Sequence, residues 1–171
     1  MIGIPGQTYE DLANDIAMFG ELDLDMIGVG PYIPHPGTPL GRDTDFSGRD
    51  QVPGTELMTL KTVALARLMC PYANIPSTTA LATLDRDSGR ELGLMRGANV
   101  VMPNLTPTKY RALYEIYPAK VCIDETAKAC RACLTGRILS IGRTVSRGRG
   151  DSLNYRRRIE GRLKAEKELS I

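Results

Sequence analysis

Strand-like and helix-like segments alternate four times along this chain, strand first each time, and that order restricts the folds open to it. Short apolar runs at residues 1–4, 26–30, 72–80 and 98–104 read as strands. Each is followed by a helical pattern. Leu12, Ile16 and Phe19 recur at helical spacing behind Thr8, a fitting N-cap, with Glu10 and Asp11 in the first turn. A second helix is expected over Thr55–Cys70. A third, "SGRELGLMRG", stops at Gly97. A fourth, "TPTKYRALYEIYP", has Thr106 as cap and Pro107 at its first position. The stretch from Pro31 to Pro53 is rich in Pro, Gly and Asp and reads as a long loop. A short helix is expected through Gly136, and the polar tail "NYRRRIEGRLKAEKEL" reads as helical.

Strands alternating with helices imply an α/β fold with a parallel sheet and right-handed crossovers. Four βα units make half of a (β/α)8 barrel of the TIM type, or a small open sheet. The first strand begins at residue one, with nothing before it to cover its edge. That favours the C-terminal half of a longer barrel over an open sheet. The expected organisation is a half-barrel over 1–121, a cysteine segment over 122–140 and a basic tail over 141–171. In either architecture ligands bind at the carboxyl ends of the strands. Those ends carry Gly, Pro, Thr and Asn and few acids or bases, which suits holding a ligand better than hydrolysing one.

Composition narrows the function classes. With 42% hydrophobic and 25% charged residues, the chain has the make-up of a soluble globular protein. No apolar run approaches the roughly 20 residues needed to span a bilayer, and no secretory signal opens the chain. A cytoplasmic setting without membrane attachment is therefore expected, and there clustered cysteines read as metal or redox groups rather than disulfides. The net charge of +2 hides an asymmetry. Residues 137–171 hold ten Lys/Arg against four Asp/Glu. Such a tail could meet nucleic acid or an acidic partner. Tyr155 is its one aromatic, so a solvated helix is the better expectation and nucleic acid is not expected as a partner.

Three of the four cysteines fall within "VCIDETAKACRAC": Cys122, Cys130 and Cys133. Spacing alone leaves packed or reactive thiols and a metal site equally open, because zinc and iron–sulfur sites both usually take four ligands. Cys70 stands apart in a helix, and His35, the one histidine, lies on a distant loop.

The stretches "MIGIPGQTYEDLANDI", "DMIGVGPYIPHPGTPLG", "NIPSTTAL", "GANVVMPNLTP" and "YRALYEIYP" occur in one order. In this the chain closely resembles the C-terminal half of the radical SAM maturases of [FeFe]-hydrogenase, in a wider family with biotin synthase and methylornithine synthase. The resemblance covers residues 1–140. It implies a (β/α)8 barrel in which a [4Fe–4S] cluster, held by a Cys-x3-Cys-x2-Cys motif after the first strand, binds S-adenosylmethionine (SAM) and yields a 5′-deoxyadenosyl radical. It implies a small iron–cysteine–carbonyl–cyanide substrate, a role in building the dithiolate ligand of the diiron site, and other hydrogenase maturation proteins as partners.

Residue by residue, the resemblance implies an accessory [2Fe–2S] cluster on Cys122, Cys130 and Cys133. Thr78, Thr79 and Ala80, beside Ser77, match the positions that hold the substrate carboxylate, and Tyr117 could lend its hydroxyl. Gly3, Met26, Gly28 and Met102 would border SAM; Gly6, Pro31, Asn104 and Tyr114 are weaker candidates. For Gly3 and Gly6 a plain tight turn is an equal explanation. This sequence departs from the family in having no Cys-x3-Cys-x2-Cys. Residues 1–171 by themselves are therefore not expected to generate the radical, and a missing N-terminal half is implied. The alternatives are another enzyme of the biotin synthase-like family, of methylornithine synthase type, a non-enzymatic iron–sulfur or zinc module, and a fragment unable to fold by itself.

Overall fold

The computed structural model describes residues 1–42, 48 and 50–168. The expected loop from Pro31 to Pro53 thus lies partly outside the described residues, as do positions 169–171. Helices dominate: α1 (Tyr9–Glu21), α2 (Pro39–Arg42), α3 (Glu56–Met69), α4 (Thr79–Leu84), α5 (Gly89–Met95), α6 (Thr108–Arg111) with a 3-10 turn at Ala112–Tyr114, α7 (Ala127–Ser140) and α8 (Leu153–Glu168).

The expected strands do not form as strands among the described residues. The four apolar segments lie side by side in chain order, each joined to the next by a single parallel bridge: Ile2 to Pro31, Met26 to Asn74, and Pro76 to Val100. Backbone bonds mark the same seams, such as Ile27 N–H to Asn74 O (2.9 Å) and Ser77 N–H to Val100 O (2.9 Å). A ladder needs repeated bonds, and these segments interrupt them. Pro31, Pro76 and Pro103 have no N–H to give, and Gly28 and Gly30 weaken extended structure.

Helix ends follow their sequence signals. Thr8 and Asp11 form a capping box on α1, with Asp11 N–H donating to Thr8 Oγ1 at 3.1 Å and Thr8 N–H to Asp11 Oδ2 at 2.8 Å. Thr55 caps α3 and Thr126 caps α7 through their hydroxyls. Gly97 follows α5 at φ 123°, a conformation that favours glycine. The fourth expected helix is cut to α6 and the 3-10 turn, with Pro107 rather than Thr106 as N-cap. In the reverse direction, Thr79 and Ala80, expected at a strand end, open α4 with Thr78 as N-cap.

The core lies between the bridged segments and the helices α1, α3 and α5. Ile2, Ile27, Val29 and Ile75 from the segments meet Leu12, Ile16, Val63, Ala66 and Leu94 from the helices. Full burial of such a side chain contributes about 1.5–3 kcal/mol. Residues between them face away: Met26, beside Ile27, is exposed, and so is Met102. No helix of the described residues is long and apolar enough to cross a membrane.

The basic tail is tied down at its start. Ser152 Oγ donates to Asp25 (2.7 Å), Asn154 Nδ2 to Leu24 O (3.0 Å), and Asn74 Nδ2 to Gly150 O (2.9 Å). Arg158 pairs with Asp23 and Asp25, and Arg157 stacks 3.8 Å over the Tyr72 ring. The solvated helix expected from charge is therefore docked along its first turns, on the loops before the second and third segments. The Ser152 hydrogen bond holds the Asp25 carboxyl below the usual carboxylate range, burial opposes it, and Arg158 adds to the lowering. A depressed carboxyl adds stability above its unfolded value and loses it as pH falls through the folded one. Protection of the 152–158 amides, taken relative to the unstructured exchange rate at the same pH, should thus be high at neutral pH and fall below the usual carboxylate range. Asp25→Asn should give fast exchange already at neutral pH; unchanged protection in that variant would rule out Asp25 as the tail's anchor.

Candidate functional site

The cysteine segment folds around a buried arginine. Arg111, 3% exposed at the end of α6, donates to the carbonyl oxygens of Asn104 (2.9 Å), Thr106 (2.7 Å) and Cys122 (3.0 Å), and to that of Glu125. Asn104 Nδ2 also reaches Cys122 O (3.1 Å), and Asn104 N–H points at Cys130 Sγ (3.4 Å). One guanidinium therefore fixes the turn that carries Cys122, whose φ of 64° is left-handed. The capped start of α7 then presents Cys130 and, one turn later, Cys133.

The ligand atoms of Cys122, Glu125 and Cys130 lie within 4.8 Å of one another. Cys130 is buried, Cys122 half-buried and Cys133 exposed. All three cysteines and Glu125 line one cavity of about 60 Å³, together with Arg90 and Arg137. The donors fit a thiophilic metal or an iron–sulfur group, since thiolate and carboxylate are the ligands such centres take. Cys133 is not one of the three converging ligand atoms; its sulfur sits against the Arg137 guanidinium. Arg137 itself pairs with Glu91 at 2.9 Å, joining α7 to α5.

Charge at the site is unbalanced toward positive. Arg90 is 5% exposed and Arg111 3%, and neither has a carboxylate partner among the described residues. A buried guanidinium satisfied only by neutral groups favours an anion beside it. Burial pushes the Cys122 thiol up, Arg90 pulls it down, and Cys130 and Glu125 push it further up. Metal binding resolves this tension, because it replaces the thiol proton and separates the like charges.

Arg90 also links the cysteines to the expected substrate residues. It reaches Thr79 Oγ1 (3.3 Å) and Ser77 O (3.5 Å), and Ser77 Oγ donates to Arg90 O (3.0 Å). Tyr117 is half-buried in the same neighbourhood; burial raises its hydroxyl while Thr83 and Arg90 oppose this. The structure thus brings Thr79, Tyr117 and Cys122 around Arg90, with Thr78 and Ala80 as Thr79's chain neighbours at the start of α4. It does not bring Gly3, Met26, Gly28 or Met102 to this place. A Cβ on Gly3 would stand 2.2 Å from Gly54 N, so close backbone approach accounts for that glycine. Gly6, also at positive φ, sits in the turn. His35 Nδ1 accepts from Gly37 N–H (2.9 Å) within its own loop. Tyr114, mostly exposed, and Asn104 sit beside Arg111 at a smaller cavity.

Three groups at the site were not legible as such: Arg90, Arg111 and Glu125. Arg90 lies in a polar helix pattern and Arg111 in "TKYRALY", where an arginine reads as surface. Glu125 had a usable signal, since it stands three residues after Cys122 in the cysteine segment.

Over 150 residues, 88% of this chain, the sequence is 46% identical to the [FeFe] hydrogenase maturase subunit HydE of Thermotoga maritima. The chain is HydE-like. It spans 40% of the length of that relative. No protein-family model matches the chain. HydE-like sequence therefore runs through nearly all of these residues, the cysteine segment included.

Removing the Arg111 guanidinium leaves the carbonyl groups of Asn104, Thr106 and Glu125 without their donor and Cys122 O with Asn104 Nδ2 alone. Arg111→Ala should lower unfolding free energy by about 2–4 kcal/mol, read from denaturant midpoints at constant slope. It should also expose Cys130 to thiol reagents. A midpoint within experimental scatter of the parent, with Cys130 still protected, would contradict the role given to Arg111.

Proposed function

We propose that residues 1–171 form the C-terminal part of a HydE-type radical SAM maturase, with 1–121 as half of its (β/α)8 barrel. The 46% identity across 88% of the chain carries this reading. The side-by-side order of the four bridged segments agrees with it. In the complete enzyme, SAM on its [4Fe–4S] cluster supplies the 5′-deoxyadenosyl radical. The residues for that step lie outside this sequence, which holds no Cys-x3-Cys-x2-Cys.

The work of these residues is binding and orientation. The N–H groups of Thr79 and Ala80 open α4, where a helix offers them no acceptor of its own. With Arg90 behind Thr79 and the Tyr117 hydroxyl nearby, they suit the carboxylate of a small substrate. Met26, Gly28, Gly3 and Met102, all on the bridged segments, are proposed to border SAM. Cys122, Cys130 and Cys133 are proposed to hold an accessory [2Fe–2S] group. The setting is cytoplasmic, the partners are other hydrogenase maturation proteins, and the product is a precursor of the diiron-site dithiolate.

The test is anaerobic assay of the native gene product, from its natural start, for 5′-deoxyadenosine release and for activation of an apo-[FeFe] hydrogenase. Both activities are expected in the native product, and no 5′-deoxyadenosine from residues 1–171 alone. Release by 1–171, or a native product that cleaves SAM but leaves the hydrogenase inactive, would overturn the reading.

A further inference from the structure

We propose that the cavity at the amino ends of the bridged segments binds a nucleoside diphosphate. The cavity holds about 560 Å³ and lies against Asn74 and Asn99, near the starts of the third and fourth segments. The third segment thus runs from this cavity at Asn74 to the proposed carboxylate site at Thr79. The volume falls within the roughly 300–1,000 Å³ usual for small-molecule sites, more than a lone phosphate fills. Leu94, Val100, Val101 and Ile138 give it an apolar wall. Arg143, Arg149 and Arg156 line it too, against Asp151 as the one acid among its lining residues.

The strap between α7 and α8 that borders the cavity is pinned at both ends. Arg143 Nη1 donates to Ala98 O (3.3 Å), and Asn74 Nδ2 donates to Gly150 O (2.9 Å). Between these ties the N–H groups of residues 144–149 have no acceptor among the described residues. Asp151 pairs with Arg149 at 3.4 Å, and the Arg156 side chain has no partner among the described residues. Guanidinium groups and open backbone N–H groups are the donors that hold phosphate oxygens. The apolar wall suits a planar base, over which a guanidinium can also stack. A simple anion would leave that wall against water, and a neutral apolar molecule would leave the guanidiniums unanswered. Met26, proposed above to border SAM, lines this cavity as well. SAM carries a sulfonium and no phosphate, so a site with three arginines does not suit it. The site needs no part of the radical reaction and stands apart from the carboxylate site at Thr79.

The experiment is calorimetric titration of the native gene product, from its natural start, with guanosine diphosphate (GDP), pyrophosphate and guanosine. A guanine nucleotide is used because it does not share the adenosyl group of SAM. Parent and Arg156→Gln proteins are compared at low and high salt, and folding is checked by circular dichroism. GDP should bind the parent, more weakly as salt rises. Pyrophosphate and guanosine should each bind roughly tenfold or more weakly than GDP, and Arg156→Gln, at an exposed position, should weaken GDP roughly tenfold. Added SAM should leave GDP bound. A folded parent that binds no GDP, equal affinity in Arg156→Gln, or displacement of GDP by SAM would overturn the site. Pyrophosphate binding as tightly as GDP would overturn the nucleotide assignment. SAM binding is read in its own titration, so its failure bears on the radical SAM reading and leaves the GDP result standing.

Discussion

The four apolar segments hold to one another by single parallel bridges, and the remaining structure is arranged to make that weak seam sufficient. One side of the segments is packed by α1, α3 and α5 through Ile27, Val29 and Ile75. The other side carries exposed Met26 and Met102. Parallel segments are stable when both faces are covered, and here the helices cover one. The tail adds a clamp at the amino ends of the second and third segments, where Asp25 gathers Ser152 and Arg158. The proposed half-barrel gives this asymmetry a purpose, since the uncovered side is the one that would line a complete barrel.

Local signals in the sequence were the most legible part of the fold. Threonine caps at Thr8 and Thr55 and the glycine after α5 work through neighbours a few residues away, so the chain states them directly. The extended segments were misread in degree. Apolar runs showed where they lie, but ladders depend on N–H groups in register, and Pro31, Pro76 and Pro103 remove some of these. Thr78–Ala80 was misread in kind: β-branched residues suit strands, yet Thr78 caps and Thr79 enters α4, because a hydroxyl cap outweighs a weak local preference.

At the site, cysteine spacing drew attention to the right segment and could not reveal its electrostatics. Arg90 and Arg111 come from helices before Cys122 in the chain, and only folding shows that both are buried beside it with no ion pair among the described residues. The same is true of the tail, whose charge suggested solvent and whose docking depends on Asp23 and Asp25 more than a hundred residues earlier. Long-range ion pairs of this kind leave no local pattern.

The central claim is that these residues work as part of a longer HydE-type chain. Intact mass and N-terminal peptide mapping of the protein from its native source test it most directly. The account predicts a chain longer than 171 residues, with an upstream peptide containing Cys-x3-Cys-x2-Cys. A mature protein beginning at Met1, with no separate partner supplying that motif, would contradict it.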